Sequence, residues 1–390
     1  MHTASRAFDI IFNKQQFKEN PFVSFRAVIR AAALLHDIGH GPLSHTTEFA
    51  MPGLKDLKIP TAYYNNLSDR QATHEDYTAK IILDSALTPI IEKTGKTYGF
   101  KPIHVAALIS PLIHLEDDDD FFIERIDNAK VNFRPILHQI VSSELDADRM
   151  DYLRRDSFSA GVSYGQFDFH WLVGNLTYYI KNNTCYLSLE HKALYSFEDF
   201  LISRFHMFLM VYFHYKSVVF DEMLAQFLKS QDCDYSLPAD IEKYILCDDS
   251  HLFTALIRSK NEWAKRITEK RPYRMLVELH SSIPATHTAA HEQDKLLSKI
   301  VEKLRTQNIP YLQATSSSDF SKYFKRDEAP IFIKYDNHYS ATSFIPLEQC
   351  TDLFHKYGEK RSITRVYVSP ENHALCRNQG RANPLPYEDD

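Results

Sequence analysis

Hydrophobic residues recur at helical spacing over most of the first 230 residues. In residues 4–15, Phe8, Ile11 and Phe12 fall on one stripe, and residues 22–36 repeat the pattern. Apolar positions separated by three and four residues are typical of amphipathic helices. The same pattern, with few internal prolines, predicts further helices over residues 43–50, 75–87, 102–114, 134–156 and 192–230.

Two glycines interrupt the helical pattern near residue 40. Gly39 is predicted to end the preceding helix in the left-handed C′ conformation, and Gly41-Pro42 is predicted to open the next helix. Two helix ends should therefore meet over residues 36–45.

Two parts of the chain favour β-structure. Residues 176–190 contain two aromatic and β-branched runs around Lys181-Asn182-Asn183, which predicts a hairpin within helical territory. After about residue 305 the composition shifts, and strands are predicted over 309–312, 331–335 and 363–368, with a helix over 347–357 and a loose polar tail. We therefore predict a mainly α fold, with a helical core over residues 1–300, a small β-hairpin, and a C-terminal α/β lobe over residues 301–390.

Composition narrows the classes of function. Lys and Arg number 45 against 51 Asp and Glu, so the net charge of −6 does not favour a surface for duplex nucleic acid or anionic membrane. The five cysteines are scattered, which argues against a disulfide framework or a thiolate metal site and fits a reducing cytoplasm. No apolar run approaches the roughly 18 residues that cross a bilayer, so no membrane partner is expected. The acidic run 116–120 is predicted to be a solvated loop.

The densest chemical cluster is HDIGHGPLSHTTE, which contains His36, Asp37, His40, His45 and Glu48. Imidazole nitrogens and carboxylate oxygens suit a hard or borderline divalent ion. A break after Asp37 lets adjacent side chains converge where a continuous helix would splay them. His45 and Glu48 are three residues apart on one helix face, which predicts an acid/base pair.

A second cluster is ELDADRMDYLRRD. Asp148, Tyr152 and Asp156 repeat every four residues and form one polar stripe, with Arg149 beside it. An aromatic ring between two carboxylates is unusual for a merely solvated helix face. We interpret the stripe as part of a binding site.

A third cluster lies in SRFHMFLMVYFHYK. Arg204 precedes Tyr212 by eight residues, and His214 and Lys216 follow. The apolar residues between them predict a buried helix, while the cations and rings indicate a site.

These motifs together resemble those of the HD-domain phosphohydrolases. HDIGHGPLSH, ATHED and LDADRMDYLRRD occur in order and at compatible distances over residues 1 to about 230, and they look most like the deoxynucleoside triphosphate triphosphohydrolase branch. The resemblance implies a helical HD-domain core and hydrolysis of a dNTP to deoxynucleoside and inorganic triphosphate. It also implies a dNTP substrate, a nucleotide activator and a homo-oligomer as partners.

The resemblance also assigns roles residue by residue. The positions that match metal ligands, for one divalent ion per site (Mn, Fe, Mg, Ni or Zn), are His36, Asp37 and Asp148. The positions that match catalytic residues around the α-phosphate are His45, Glu48, His74 and His40. The positions that match substrate contacts are Arg149 and Arg204 for phosphate, Tyr152 and Asp156 for deoxyribose, and Tyr212 and His214 for the sugar and base end.

One departure from the family pattern concerns the first metal histidine, which lies in a motif like RxxHSLGV. His2 is one candidate for this ligand, and a residue before Met1 is the other. Two further functions remain open at this point. One is another HD-type phosphatase or phosphodiesterase, and the other is a non-catalytic regulator that binds nucleotide or nucleic acid.

Overall fold

A computed structural model of the chain describes residues 1–12, 21–64, 69–280, 288–318, 329–337, 339–353 and 361–380. These residues form two compact units that interleave along the chain. Unit 1 comprises residues 1–207, 236–248 and 321–356, and unit 2 comprises residues 208–235, 249–320 and 357–390. The domain boundary at residue 300 stays a prediction. The two compact units divide the chain at other residues.

Unit 1 is built mainly from helices. They are α1 (His2–Phe12), α2 (Pro21–Leu35), α3 (His74–Leu83), α4 (Thr88–Tyr98), α5 (Pro102–Ile109), α6 (Arg134–Val141), α7 (Ala147–Ala160), α8 (Phe169–Gly174), α9 (Leu194–Met207) and the short α11 (Ile241–Tyr244). Aromatic side chains fill the space between α1 and α2. Phe12 and Phe25 both pack against the buried Phe133. Each such ring contributes about 1.5–3 kcal/mol when buried, so this core anchors α2, whose end carries His36.

A six-stranded sheet completes unit 1. Its strands are β1 (Ile123–Ile126), β2 (Ala129–Asn132), β3 (Leu176–Lys181), β4 (Thr184–Glu190), β7 (Phe332–Asn337) and β8 (Ser340–Pro346). The order is β1-β2-β4-β7-β8, with β3 also pairing with β4. The predicted hairpin is present as β3 and β4, but it is not an isolated element, because β7 pairs with β4 in parallel register (Ser188 with Phe332).

Unit 2 contains the remaining named elements. They are α10 (Tyr215–Lys229), α12 (Asp249–Arg258), α13 (Glu262–Thr268), β5 (Arg274–His280), α14 (Thr288–Thr306), β6 (Tyr311–Ser318), β9 (Arg361–Val368) and α15 (Pro370–Gly380). The three strands form an antiparallel sheet in the order β5-β9-β6. The strands predicted over 331–335 and 363–368 therefore lie in different sheets.

Several predicted helices are shorter or divided. The helix over 102–114 ends at Ile109, because Pro111 disfavours helical geometry in the residue before it. The helix over 134–156 is two helices, α6 and α7. The helix over 192–230 is α9, a π-helical turn over Phe208–Tyr212 in which no residue is buried, and α10. The prediction that this turn lies in a buried helix is therefore wrong.

The C-terminal region also differs from the predictions. Of the helix predicted over 347–357, the structure has a 3-10 turn at Leu347–Gln349 and a helical residue at Leu353, and residues 354–360 lie outside the described part. The tail was predicted to be loose, yet α15 continues to Gly380, and residues 381–390 are outside the described part. Among the residues that the structure describes, no helix is both long and apolar enough to cross a membrane.

The acidic run 116–120 is not wholly solvated. Oδ2 of Asp119 lies 2.8 Å from Nε2 of the buried His104. Burial raises the pKa of Asp119, but the hydrogen bond with His104 and further contacts outweigh it and hold the pKa below its ordinary value. One carboxylate of the run therefore has a structural role.

Candidate active site

His36 and Asp37 lie in a turn that directly follows α2. The side chain of Thr78, in α3, holds this turn: its Oγ1 donates a hydrogen bond to the carbonyl oxygen of His36 at 3.1 Å and accepts one from the backbone N–H of Gly39 at 3.0 Å. The turn is thus held against α3 by one hydroxyl group.

Gly39 is required by proximity to α3 and not by its backbone angle. A Cβ at this position would lie 2.1 Å from the carbonyl oxygen of His74 and 2.3 Å from the backbone nitrogen of Thr78. The prediction of a left-handed C′ glycine is wrong, since the residues with positive φ in this region are Leu43 and Ser44. These two residues lead into a 3-10 helix, Ser44–Ala50, where an α-helix was predicted over 43–50.

Asp148 reaches the turn from the first turn of α7. Asp146 caps this helix, because its side chain accepts a hydrogen bond from the backbone N–H of Arg149 at 2.7 Å. This cap explains why the predicted helix over 134–156 is broken. Burial raises the pKa of Asp146 to about 6, against the opposing effect of Arg149.

Three predicted ligands converge as a candidate metal centre. Nε2 of His36 lies 3.2 Å from Oδ2 of Asp37 and 3.4 Å from Oδ1 of Asp148. One ligand atom from each lies within 4.8 Å of the others. Within the described part of the chain, both ring nitrogens of His36 are buried without a hydrogen-bond partner. An unbonded imidazole nitrogen facing two carboxylates is the donor set that a divalent cation takes, so the residues fit a metal ion.

The charge state of the Asp37 carboxylate suits metal binding. Burial raises the pKa of Asp37, but His40 and His36 outweigh it and hold the pKa below its ordinary value. Burial lowers the pKa of His36, while Asp148 and Asp37 outweigh that effect and raise it. The carboxylate is therefore ionised at neutral pH, as a ligand must be.

Three histidines and Glu48 form a second cluster beside this centre. The rings of His40 and His74 stack with centroids 3.9 Å apart, and the ring of His45 meets both edge-on. Nε2 of His40 lies 3.6 Å from Oδ1 of Asp37, which brings the two clusters together. The structure therefore brings together the four residues predicted to be catalytic.

Glu48 is shared between two imidazoles. Its Oε1 lies 3.2 Å from Nδ1 of His45 and 2.5 Å from Nδ1 of His74. In a 3-10 helix residues three apart lie on the same side, so the predicted pairing of His45 with Glu48 survives the change of helix type. The sequence did not predict the contact with His74, because that residue is distant along the chain.

The shared carboxylate and burial set the pKa values of this cluster. Burial raises the pKa of Glu48, but the two imidazoles outweigh it and hold the pKa below its ordinary value. Burial lowers the pKa of His74, and the opposing effect of Glu48 does not cancel it. Glu48 is therefore an anion that accepts hydrogen bonds from both rings.

The start of α3, which carries His74, is fixed by a residue that sequence reasoning missed. Asp76 is fully buried and accepts hydrogen bonds from Arg70 at 2.7 and 2.8 Å and from Tyr64 at 2.6 Å. It also accepts one from the backbone N–H of Thr73, the residue before the helix, at 2.8 Å. The signal in the sequence was the acidic residue following ATHE, at the third position of the helix.

Arg149 and Arg204, the predicted phosphate contacts, share one buried carboxylate. Oε2 of Glu144 lies 3.2 Å from Nη1 of Arg149, and its Oε1 lies 2.5 Å from Nη1 of Arg204. The side chain of Arg149 is 16% exposed, against 4% for Arg204, so Arg149 is the more accessible cation. Glu144 lies in the ELDADR motif, but its role depends on a contact with α9 that no local pattern reveals.

Tyr152 and Asp156 follow Asp148 along α7, as the predicted stripe requires, and both are partly buried. Burial raises the pKa of Tyr152 to about 12, and the nearby Arg204 and Arg149 oppose the shift. Tyr152 thus lies within the electrostatic reach of both arginines.

Three further residues are predicted to belong to the site. Tyr212 and His214 belong to unit 2, where the ring of Tyr212 contacts that of Phe208 and His214 precedes α10. Their role at the sugar and base end remains a prediction. His2 is exposed and lines a cavity of about 650 Å³ with Arg6, Asp9 and neighbouring residues, apart from the metal-ligand cluster.

The chain is similar to several known proteins. Residues 14–112 match the HD domain family, and residues 167–308 match the HD-associated region. The uncharacterized protein YwfO of Bacillus subtilis is 26% identical over 358 residues, which cover 90% of this chain and 67% of that protein. The deoxynucleoside triphosphate triphosphohydrolase SAMHD1 homolog of Dictyostelium discoideum is 28% identical over 216 residues, 52% of this chain and 35% of that protein. The chain therefore spans only part of these relatives.

A solved structure has the same fold. A hypothetical protein from Aquifex aeolicus superposes with a TM-score of 0.66 at 22% identity, covering 97% of this chain and 84% of that chain. The chain thus contains an HD domain and an HD-associated region, a combination that supports an HD-superfamily phosphohydrolase.

Proposed function

We propose that this site hydrolyses deoxynucleoside triphosphates to deoxynucleoside and inorganic triphosphate. The observation that carries the proposal is the 3.6 Å approach of His40 to Asp37, which joins a candidate metal centre to a cluster of proton carriers. Such a pairing suits attack of water on a phosphoryl group. The name of the Dictyostelium relative supports the same reaction.

The residues divide the work of this reaction. His36, Asp37 and Asp148 would hold a divalent ion, which would supply positive charge to offset that of the phosphate groups. Water adds to the α-phosphorus, the bond from that phosphorus to O5′ breaks, and O5′ takes up a proton to become the hydroxyl of the deoxynucleoside. With Nδ1 of His45 facing Glu48, Nε2 is the ring atom left to exchange this proton.

Substrate selection is assigned to α7. Arg149 offsets phosphate charge, and its guanidinium is already oriented by Glu144. Tyr152 is one helical turn from Asp148, and we assign to its ring the role of packing on the sugar and excluding a 2′-hydroxyl. To Asp156, one turn further, we assign the acceptance of a hydrogen bond from the 3′-hydroxyl.

The test is a product analysis. The protein is supplied with Mn²⁺ or Mg²⁺ and each dNTP, and anion exchange separates triphosphate, pyrophosphate and phosphate. We expect deoxynucleoside and triphosphate in equal amounts. Turnover of phosphomonoesters or phosphodiesters in place of dNTPs would support another HD activity, and nucleotide binding without turnover would support a regulator.

Two further measurements test the proposed partners. Repeating the assay with a second nucleotide tests the proposed activator, and measuring the mass of the protein in solution tests the proposed homo-oligomer.

A further inference from the structure

A segment from far along the chain contacts the turn that carries the candidate ligands. We name this segment, Ser236–Asp248, the strap. It belongs to unit 1, although the residues on either side of it belong to unit 2. It lies within the matched HD-associated region. Oη of Tyr244, in the strap, donates a hydrogen bond to the carbonyl oxygen of Gly39 at 2.6 Å, and both residues are buried.

Other contacts fix the strap in place. The ring of Tyr244 stacks on that of Tyr77, in α3, with centroids 3.8 Å apart. Three further hydrogen bonds join the strap to the rest of unit 1: Tyr77 Oη to Pro238 O (2.8 Å), Leu237 N to Ala50 O (2.8 Å) and Ala86 N to Glu242 Oε1 (2.7 Å). The hydroxyl of Tyr244 therefore approaches the turn from an anchored element.

The turn and the strap are packed without spare room. A Cβ on Gly41 would lie 3.2 Å from Cδ1 of Leu237 and 3.4 Å from Oη of Tyr244. A shift of the strap would therefore displace the backbone of Gly39 and Gly41, on either side of His40.

We propose that Tyr244 is a positioning residue for the candidate metal centre, through which the HD-associated region completes the HD domain's site. Thr78 fixes the first part of the turn through the carbonyl of His36 and the N–H of Gly39. Tyr244 fixes the carbonyl of Gly39, which belongs to the peptide that joins Gly39 to His40. Without the hydroxyl, this buried carbonyl lacks its hydrogen bond, so the peptide can rotate and shift Asp37 and His40. The proposal rests on the proposed metal centre but not on the identity of the substrate.

The test compares two matched variants. Tyr244→Phe removes only the hydroxyl. Tyr367→Phe is the control, because Tyr367 is fully buried and its hydroxyl also bonds a backbone carbonyl, that of Tyr215 at 3.2 Å in unit 2. The protein is stripped of metal, Mn²⁺ binding is measured by titration calorimetry, and the melting temperature is recorded without metal.

We expect Tyr244→Phe to raise the Kd for Mn²⁺ about tenfold, as loss of an outer-shell hydrogen bond does, while Tyr367→Phe leaves the Kd unchanged. The two variants should lose similar amounts of melting temperature. Excess Mn²⁺ should restore the activity of Tyr244→Phe, which it would not do for a merely structural defect. An unchanged Kd in Tyr244→Phe overturns the proposal.

A second variant covers the case in which Tyr244→Phe does not fold. Tyr77→Phe removes the hydrogen bond to Pro238 and loosens the strap without touching the turn. It should also raise the Kd for Mn²⁺, and a Kd equal to that of wild type would contradict the role of the strap. A wild-type protein that binds Mn²⁺ but leaves dNTPs intact overturns the proposed reaction alone. A wild-type protein that binds none of the divalent ions of Mn, Fe, Mg, Ni and Zn overturns both proposals.

Discussion

Nε2 of His36 lies 3.4 Å from Oδ1 of Asp148, although the two residues are far apart along the chain, one after α2 and the other in the first turn of α7. This contact adds Asp148 as a third candidate ligand to the adjacent pair His36 and Asp37. It also explains why the cap of α7 matters, since Asp146 fixes where that helix begins.

Asp148→Ala should lower the affinity for Mn²⁺ by at least about a hundredfold and abolish turnover, because one of three anionic or imidazole ligands is lost. Circular dichroism should change little, since the side chain is partly exposed and leaves little cavity. The control is Asp151→Ala, which removes an exposed carboxylate of the same helix that pairs with Arg155. Full Mn²⁺ binding by Asp148→Ala would refute the metal assignment.

His2→Ala should leave both the Mn²⁺ affinity and the helical signal unchanged. The side chain lies with Arg6 and Asp9 and is not part of the ligand cluster. Calorimetric titration of the stripped variant checks this. Loss of Mn²⁺ binding would show instead that His2 is the first metal ligand of the family pattern.

Tyr152 should decide sugar selectivity. A ring against C2′ penalises an added hydroxyl by clash and by leaving it without a partner, which should favour dGTP over GTP by roughly 2 to 4 kcal/mol. Tyr152→Ala should relax this preference, and Tyr152→Phe should retain it because the ring remains. Asp156→Ala should lose discrimination against the 3′-deoxy analogue. The measurement is kcat/KM for each substrate, and equal wild-type rates on dGTP and GTP would exclude the dNTPase reading.

Glu48→Gln should shift the pH dependence of turnover to lower pH. The carboxylate raises the pKa of His74 against the stronger effect of burial, so its neutralisation should lower that pKa further. Less of this predicted catalytic imidazole is then protonated at neutral pH. Glu48 also orients His45, which exchanges the proton in the proposed reaction, so kcat/KM at pH 7 should fall roughly a hundredfold. Glu75→Gln, at an exposed neighbouring residue, is the matched control. A pH profile of Glu48→Gln that coincides with wild type would refute a role for the shared carboxylate.

Asp76→Asn should destabilise the fold in a pH-dependent way. Burial raises the pKa of Asp76, but hydrogen bonds from Arg70 and Tyr64 outweigh it and lower the pKa below the unfolded value. The stabilisation is therefore fully present above that unfolded value, about 3.9, and is lost as the pH falls through the folded one. Urea unfolding at pH 7 should show that the variant's free energy of unfolding is about 2 to 4 kcal/mol below that of wild type, and this difference should become smaller near pH 3. Asp69→Asn, at an exposed carboxylate, is the control and should show neither effect.

The sequence determined the features that depend on residues close together along the chain. His45 and Glu48 pair because they are three residues apart, and they do so even though the helix is of the 3-10 type. The hairpin forms around Asn182 and Asn183, which both adopt the positive φ that a tight turn between strands requires. Spacing and turn chemistry are local properties, so they can be read from one sequence.

The tertiary structure decided the contacts between distant residues. Asp148 meets His36 and Tyr244 meets Gly39 because packed helices bring their segments together, and no local spacing encodes either meeting. The same is true of Glu144, which joins Arg149 to Arg204. The sequence therefore determined which chemical groups are present and how neighbours pair. Burial of the apolar faces decided which distant groups share a site, because the free energy of that burial belongs to the whole fold and not to any short stretch of it.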